Sequence, residues 1–108
     1  MTNAKRIAIL ATDGYEQSEL MDPLALLRKA GFAVDVVSPE AGQIRGWKGK
    51  DWGDPVDVDV VLSKAMPGDY DALVLPGGVI NPDRLRMDKT AVAFIRAFDQ
   101  ARKPLAAI

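Results

Sequence analysis

Four residues in this chain have the type and spacing for chemistry at the end of a strand. Glu16 and Glu19 follow the apolar run Ile7 to Ala11, separated from it by the turn Thr12-Asp13-Gly14. Gly77 and Gly78 follow a second apolar run, Ala72 to Leu75. Glutamates in a first helical turn have two readings. They favour the positive end of the helix dipole, or one of them, Glu16, is an acid tuned by burial that exchanges a proton beside a nucleophile. The glycine pair also has two readings. It is a plain tight turn, or a place where a ligand approaches the backbone and converging N–H groups form an oxyanion hole. No phosphate-binding loop is present, because neither G-x-G-x-x-G nor the Walker pattern occurs.

The elements that must position these residues read as an alternation. Ile7 to Ala11 is a strand buried on both faces. From Ser18 the period becomes helical, with Leu20, Leu24 and Leu27 on one stripe and Gly31 as the left-handed stop. Pro23 cannot donate to the Glu19 carbonyl, so an irregular first turn is expected. A second strand, Phe32 to Ser38, closes at Pro39. The glycines, the two tryptophans and the alternating Val56, Val58 and Val60 then suggest short antiparallel strands or an extended arm. Parallel strands are expected near 5–11, 33–38, 71–75 and 104–108, with helices near 18–30 and 88–102. Asn81 or Asp83 is placed to cap the helical stretch that follows Gly78, and Asp83, Arg84 and Arg86 otherwise read as cap and solvated charges. Val92, Phe94, Ile95 and Phe98 face the core. This order predicts an α/β fold, a three-layer sandwich around a mainly parallel sheet, whose ligand crevice lies at the carboxyl ends of the strands.

Bulk properties narrow the function. Fourteen basic and fifteen acidic residues among 108 leave a net charge of -1, which argues against nucleic acid or an acidic membrane as the main partner. Cysteine and histidine are both absent. The chain therefore has no disulfide framework, no thiolate metal site and no histidine base, and no metal or other cofactor is expected. No apolar stretch approaches membrane-spanning length. A cytoplasmic protein is the default. Trp47 and Trp52 read as packing or an oligomer contact, with a substrate platform as the alternative.

Taken together, "RIAILATDGYEQSEL" with Pro23, Leu27 and Gly31, then "DYDALVLPGG", "NPDRLR" and "RKPLAAI", resemble the ThiJ/PfpI superfamily. That is the branch of the class I glutamine amidotransferase-like, flavodoxin-like fold that includes the PfpI-type intracellular proteases. The "DWG" and "NPDRLR" stretches look closest to its stress-protein subgroup. The resemblance implies that residues 1–108 are the N-terminal portion of a single domain, incomplete at its C-terminal end. In the family, the strand matching "PLAAI" runs into a nucleophilic cysteine, here expected directly after Ile108. It also implies Glu16 as the acid partner of that cysteine, Gly78 as the oxyanion donor, Gly77 at the substrate, and a homo-oligomer, dimer or hexamer. The implied activity is a stress-associated cysteine hydrolase acting on peptide or small carbonyl substrates, as a peptidase or a deglycase. The alternatives are a non-catalytic redox sensor or chaperone-like protein, and the ligand-sensing domain of a regulator. Ile108 itself is expected in a central strand, where a terminal carboxylate among apolar neighbours would be costly.

Overall fold

The computed structural model describes residues 5–77 and 85–108. Five strands form one parallel sheet: β1 (Arg6–Leu10), β2 (Ala33–Ser38), β5 (Val60–Val61), β6 (Ala72–Leu75) and β7 (Leu105–Ala107). Their spatial order is β5-β2-β1-β6-β7, with β1 at the centre. Two further strands, β3 (Gln43–Lys48) and β4 (Asp51–Asp57), form an antiparallel hairpin. Helix α1 (Gln17–Lys29) follows β1, and helix α2 (Lys89–Gln100) precedes β7.

The alternation along β1 generates the layers. Ile7, Ile9 and Ala11 point to one face, where they pack with Leu20 and Leu24 of α1 and with Ile44 and Val56 of the hairpin. Ala8 and Leu10 point to the other, where they meet Leu62, Tyr70, Phe94 and Phe98. With both faces covered, β1 is an unbroken apolar run, the signature of a parallel strand buried on both sides. Register follows from this burial: Ile9 lies beside Val36 of β2 and Val74 of β6. A one-residue slip would exchange the two faces. The expected strands and helices are therefore present, and Ala72–Leu75 is an interior strand.

Three local features bear on the sequence reading. Pro23 lies inside α1, yet the helix runs unbroken from Gln17 to Lys29. Its first turn is tightened by a bond from the Glu19 N–H to the Glu16 carbonyl, 3.0 Å, an i→i−3 bond of the 3-10 type. Helix α2 is capped by Asp88, whose carboxylate accepts from the Ala91 N–H at 2.9 Å. Asn81, Asp83 and Arg84 lie outside the described residues. Asp88→Ala is expected to lower stability by about 1 kcal/mol, read as a lower urea midpoint at constant slope.

The third feature concerns the last strand. β7 pairs with β6 alone and forms the sheet edge among the described residues. Leu105 is 40% and Ile108 56% exposed. The central setting expected for Ile108 is that of the complete domain; among the described residues β7 has a pairing partner on one side only. No helix among the described residues is long and apolar enough to cross a membrane.

Candidate active site

The carboxyl ends of β1, β6 and β7 meet at Gly77. From β1 the chain crosses to α1 through Asp13–Glu16, and the hairpin holds this crossing at several points. Gly14, at φ 92°, donates to the Arg45 carbonyl at 3.0 Å. The Arg45 N–H donates to the Asp13 carboxylate at 2.8 Å, and the Trp47 N–H to the Tyr15 carbonyl at 2.6 Å. Glu16 and Trp47 form a parallel bridge. The crossing thus behaves as a short third strand beside the hairpin.

Glu16 is the N-cap residue of α1, in extended conformation. Its N–H donates to the Gly77 carbonyl at 3.0 Å, while its carboxylate does not close the cap. Glu19, three positions on, accepts from the Gly77 N–H at 2.9 Å. In a capping box the third helical residue reaches back to the N-cap N–H. Here the Gly77 peptide is inserted between the two partners: its carbonyl takes the N–H of Glu16, and its N–H goes to the carboxylate of Glu19. From β7, the Ile108 N–H donates to the Leu75 carbonyl at 3.0 Å. A Cβ built on Gly77 would overlap both the Ile108 carbonyl oxygen and the Glu19 carboxylate. Only glycine lets these three pieces of chain approach so closely.

Of the expected site residues, Glu16 and Gly77 are brought together, through their backbones. Gly78 lies outside the described residues. The carboxylate that meets the strand ends is that of Glu19, which sequence reasoning had left with the helix dipole. A usable signal was present, because helix side chains tilt towards the N-terminus, so the third helical residue reaches back over the strand ends. The Gly77 N–H, expected to face a substrate, is already engaged by Glu19. Gly77 also borders an apolar cavity of about 280 Å³ lined by Leu75, Val92, Ile95, Ala107 and Ile108.

Trp47 and Trp52 pack edge to face, centroids 5.0 Å apart. Trp52, 44% exposed, also lines an open groove with Asp13, Gln43, Arg45 and Pro55. Beneath the hairpin Tyr15 is fully buried, and among the described residues its hydroxyl has no hydrogen-bond partner. Burial, reinforced by the nearby Asp13 charge, pushes the Tyr15 pKa up to about 12. No group of three or more acidic, histidine or cysteine side chains able to hold a metal occurs among the described residues.

The DJ-1/PfpI family profile matches residues 5–108, and the chain belongs to that family. It is 41% identical over 106 residues to Protein/nucleic acid deglycase 2 of Escherichia coli K12, covering 97% of this chain and 59% of the relative. It is 38% identical over 104 residues to General stress protein 18 of Bacillus subtilis, covering 96% of this chain and 59% of the relative. Among solved structures, the crystal structure of VC2308 protein superposes with a TM-score of 0.88 at 29% identity, covering 97% of this chain and 52% of that one. The chain thus spans about three fifths of the length of these two sequence relatives.

Proposed function

We propose that the chain is the N-terminal portion of a cysteine hydrolase domain of the deglycase type, with its thiolate supplied directly after Ile108. The observation that carries this reading is the meeting of the Glu19 carboxylate, the Gly77 peptide and the Ile108 carbonyl at one point. Similarity to a protein named as a deglycase supports the reaction class. A residue following Ile108 starts at that meeting point. A thiol there is the reactive group as its thiolate, and a protonated Glu19 carboxyl would donate a hydrogen bond to the sulfur and favour that form. The thiolate attacks the carbonyl carbon of the substrate, the C=O electron pair moving to oxygen. The oxyanion is held by backbone N–H groups, for which Gly78 is the proposed donor. The apolar cavity beside Gly77 is the proposed substrate side.

In this reading Glu16 and Glu19 divide the work. Glu16 anchors the turn through its backbone, and Glu19 presents the acid. The test uses the chain continued by a cysteine after Ile108. At neutral pH, Glu19→Gln is expected to slow alkylation of the thiol by about tenfold, the effect of a one-unit rise in thiol pKa. Glu16→Gln should change the rate less than twofold. The reverse ranking would return the role to Glu16. If neither variant matters and the complete domain does not release glyoxal adducts, the hydrolase reading is wrong.

A further inference from the structure

Gln17 is the first residue of α1, between Glu16 and Glu19. Its side-chain carbonyl accepts from the Asp54 N–H of β4 at 2.9 Å. A Cβ on Gly53 would overlap that same side-chain amide. On β3, a Cβ on Gly46 would overlap the ring of Tyr15. Trp47 pairs with Trp52 across the hairpin, so Gly46 and Gly53, each next to one of these tryptophans, lie near one another on the two strands. They leave a side-chain-free saddle. Tyr15 and Gln17 occupy it, two positions apart along an extended crossing and so on the same side of the chain.

We propose that Gln17 is a positioning residue for the acid turn: its clasp on Gly53-Asp54 sets the angle from which Glu19 reaches Gly77. The proposal rests on the reading of Glu19 as the acid partner. The first turn of α1 is held from two sides. Glu16 and Glu19 bind the Gly77 peptide, and Gln17 binds the hairpin. A helical turn is stiff because its residues share backbone hydrogen bonds, so a tether at its first residue restrains the third. Positioning of this kind matters because a site held loosely by about 1 Å loses much of its effect. Without the clasp, the backbone contacts of Tyr15 and Glu16 with Trp47 and Gly77 remain, but the first residue of α1 loses its side-chain bond to β4 and the turn can rotate about those contacts.

The test reads Gly77 in the 108-residue chain and needs no thiol, so its outcome is independent of whether the hydrolase reading holds. The Gly77 amide proton shift is followed by NMR, where it reports the bond to the Glu19 carboxylate. Its hydrogen exchange is measured alongside that of Ala11 and Leu73. In Gln17→Ala, exchange at Gly77 is expected to rise about tenfold and its amide proton to move upfield as the bond to Glu19 weakens. Ala11 and Leu73, bonded within the sheet, should be unchanged. Gln17→Glu keeps an acceptor oxygen and should stay within about twofold of the parent chain. Gly53→Ala, which displaces the Gln17 amide directly, should reproduce Gln17→Ala and serves as the second variant if the first does not fold. An unaltered Gly77 in both Gln17→Ala and Gly53→Ala overturns the proposal. So does equal acceleration at Gly77, Ala11 and Leu73, which would mean a loss of overall stability only.

Discussion

Alanine at position 77 is expected to lower the stability of the chain by about 3 kcal/mol, the combined effect of overpacking and of a weakened charged hydrogen bond. The added methyl group would overlap the Ile108 carbonyl and the Glu19 carboxylate. The first is backbone, so β7 must retreat from β6. The second is a side chain that can rotate, but doing so gives up its bond to the Gly77 N–H. Both responses lower the urea midpoint. Gly68→Ala is the control, because a Cβ there meets nothing within 4 Å, and its effect should stay within about 0.5 kcal/mol. If the two variants unfold at the same urea concentration, the strand ends are more yielding than the geometry implies.

The second large effect is alkaline. The chain has two tyrosines, and burial raises the pKa of both. Tyr15 is pushed up to about 12, by burial first and by Asp13 second. Tyr70 is also shifted upward, by burial first and then by its hydrogen bond to Asp35, made at 2.8 Å. A tyrosine in the unfolded chain ionises near 10.0. Below that pH the protonated side chains carry their full contribution to stability. Between pH 10 and 12 the unfolded state has released protons that the folded state retains, so stability falls as pH rises. Absorbance titration of tyrosinate should therefore show no ionisation near 10 in the folded chain, followed by ionisation coupled to unfolding. An ordinary, reversible midpoint near 10 would contradict this picture.

Removing each hydroxyl separates the two sites at neutral pH. Tyr15→Phe deletes a buried hydroxyl that makes no well-formed hydrogen bond, with the Gly46 backbone as its nearest polar neighbour, and should stay within about 1 kcal/mol of the parent chain. Tyr70→Phe leaves Asp35 with one bond fewer and should cost about 1–2 kcal/mol. Arg6 cushions that loss, since it contacts Asp35 at 3.1 Å and its guanidinium lies over the Tyr70 ring.

The layers were readable before the structure because β1 is apolar on both faces and α1 on one stripe, and those periods leave few choices. The hairpin was readable as a pair of short strands. Its partner was not, because the reason for its position is an absence: Gly46 and Gly53 lack the side chains that would exclude Tyr15 and Gln17. β5, two residues long, was too short to separate from the Val56-Val58-Val60 alternation. The carboxylate at the strand ends was half legible. Spacing located two glutamates in one turn, but which carboxylate reaches Gly77 depends on which residue is the N-cap, and that is decided by the bond from Glu16 to Gly77. The open flank beside β7 was legible, since its composition is that of an interior strand and residues 1–108 offer no further strand to pair with it.

The central place of β1 governs the order in which the chain can fold. Its contacts with β2 and the attachment of the hairpin to Tyr15 close loops contained within the first 57 residues. Its other neighbour, β6, closes a far longer one, as in the bond from the Arg6 N–H to Asp71, 65 residues away. Loop closure grows more costly with length, and contacts distant in sequence slow the approach to the transition state. A half-sheet of β5, β2 and β1, carrying α1 and the hairpin, can therefore form while β6 is still unpaired. In that intermediate the Glu19 carboxylate is hydrated, because Gly77 has not arrived. Glu19, Gly77 and Ile108 come together only when the sheet closes, so a chain arrested before that step would keep most of its secondary structure and have no site.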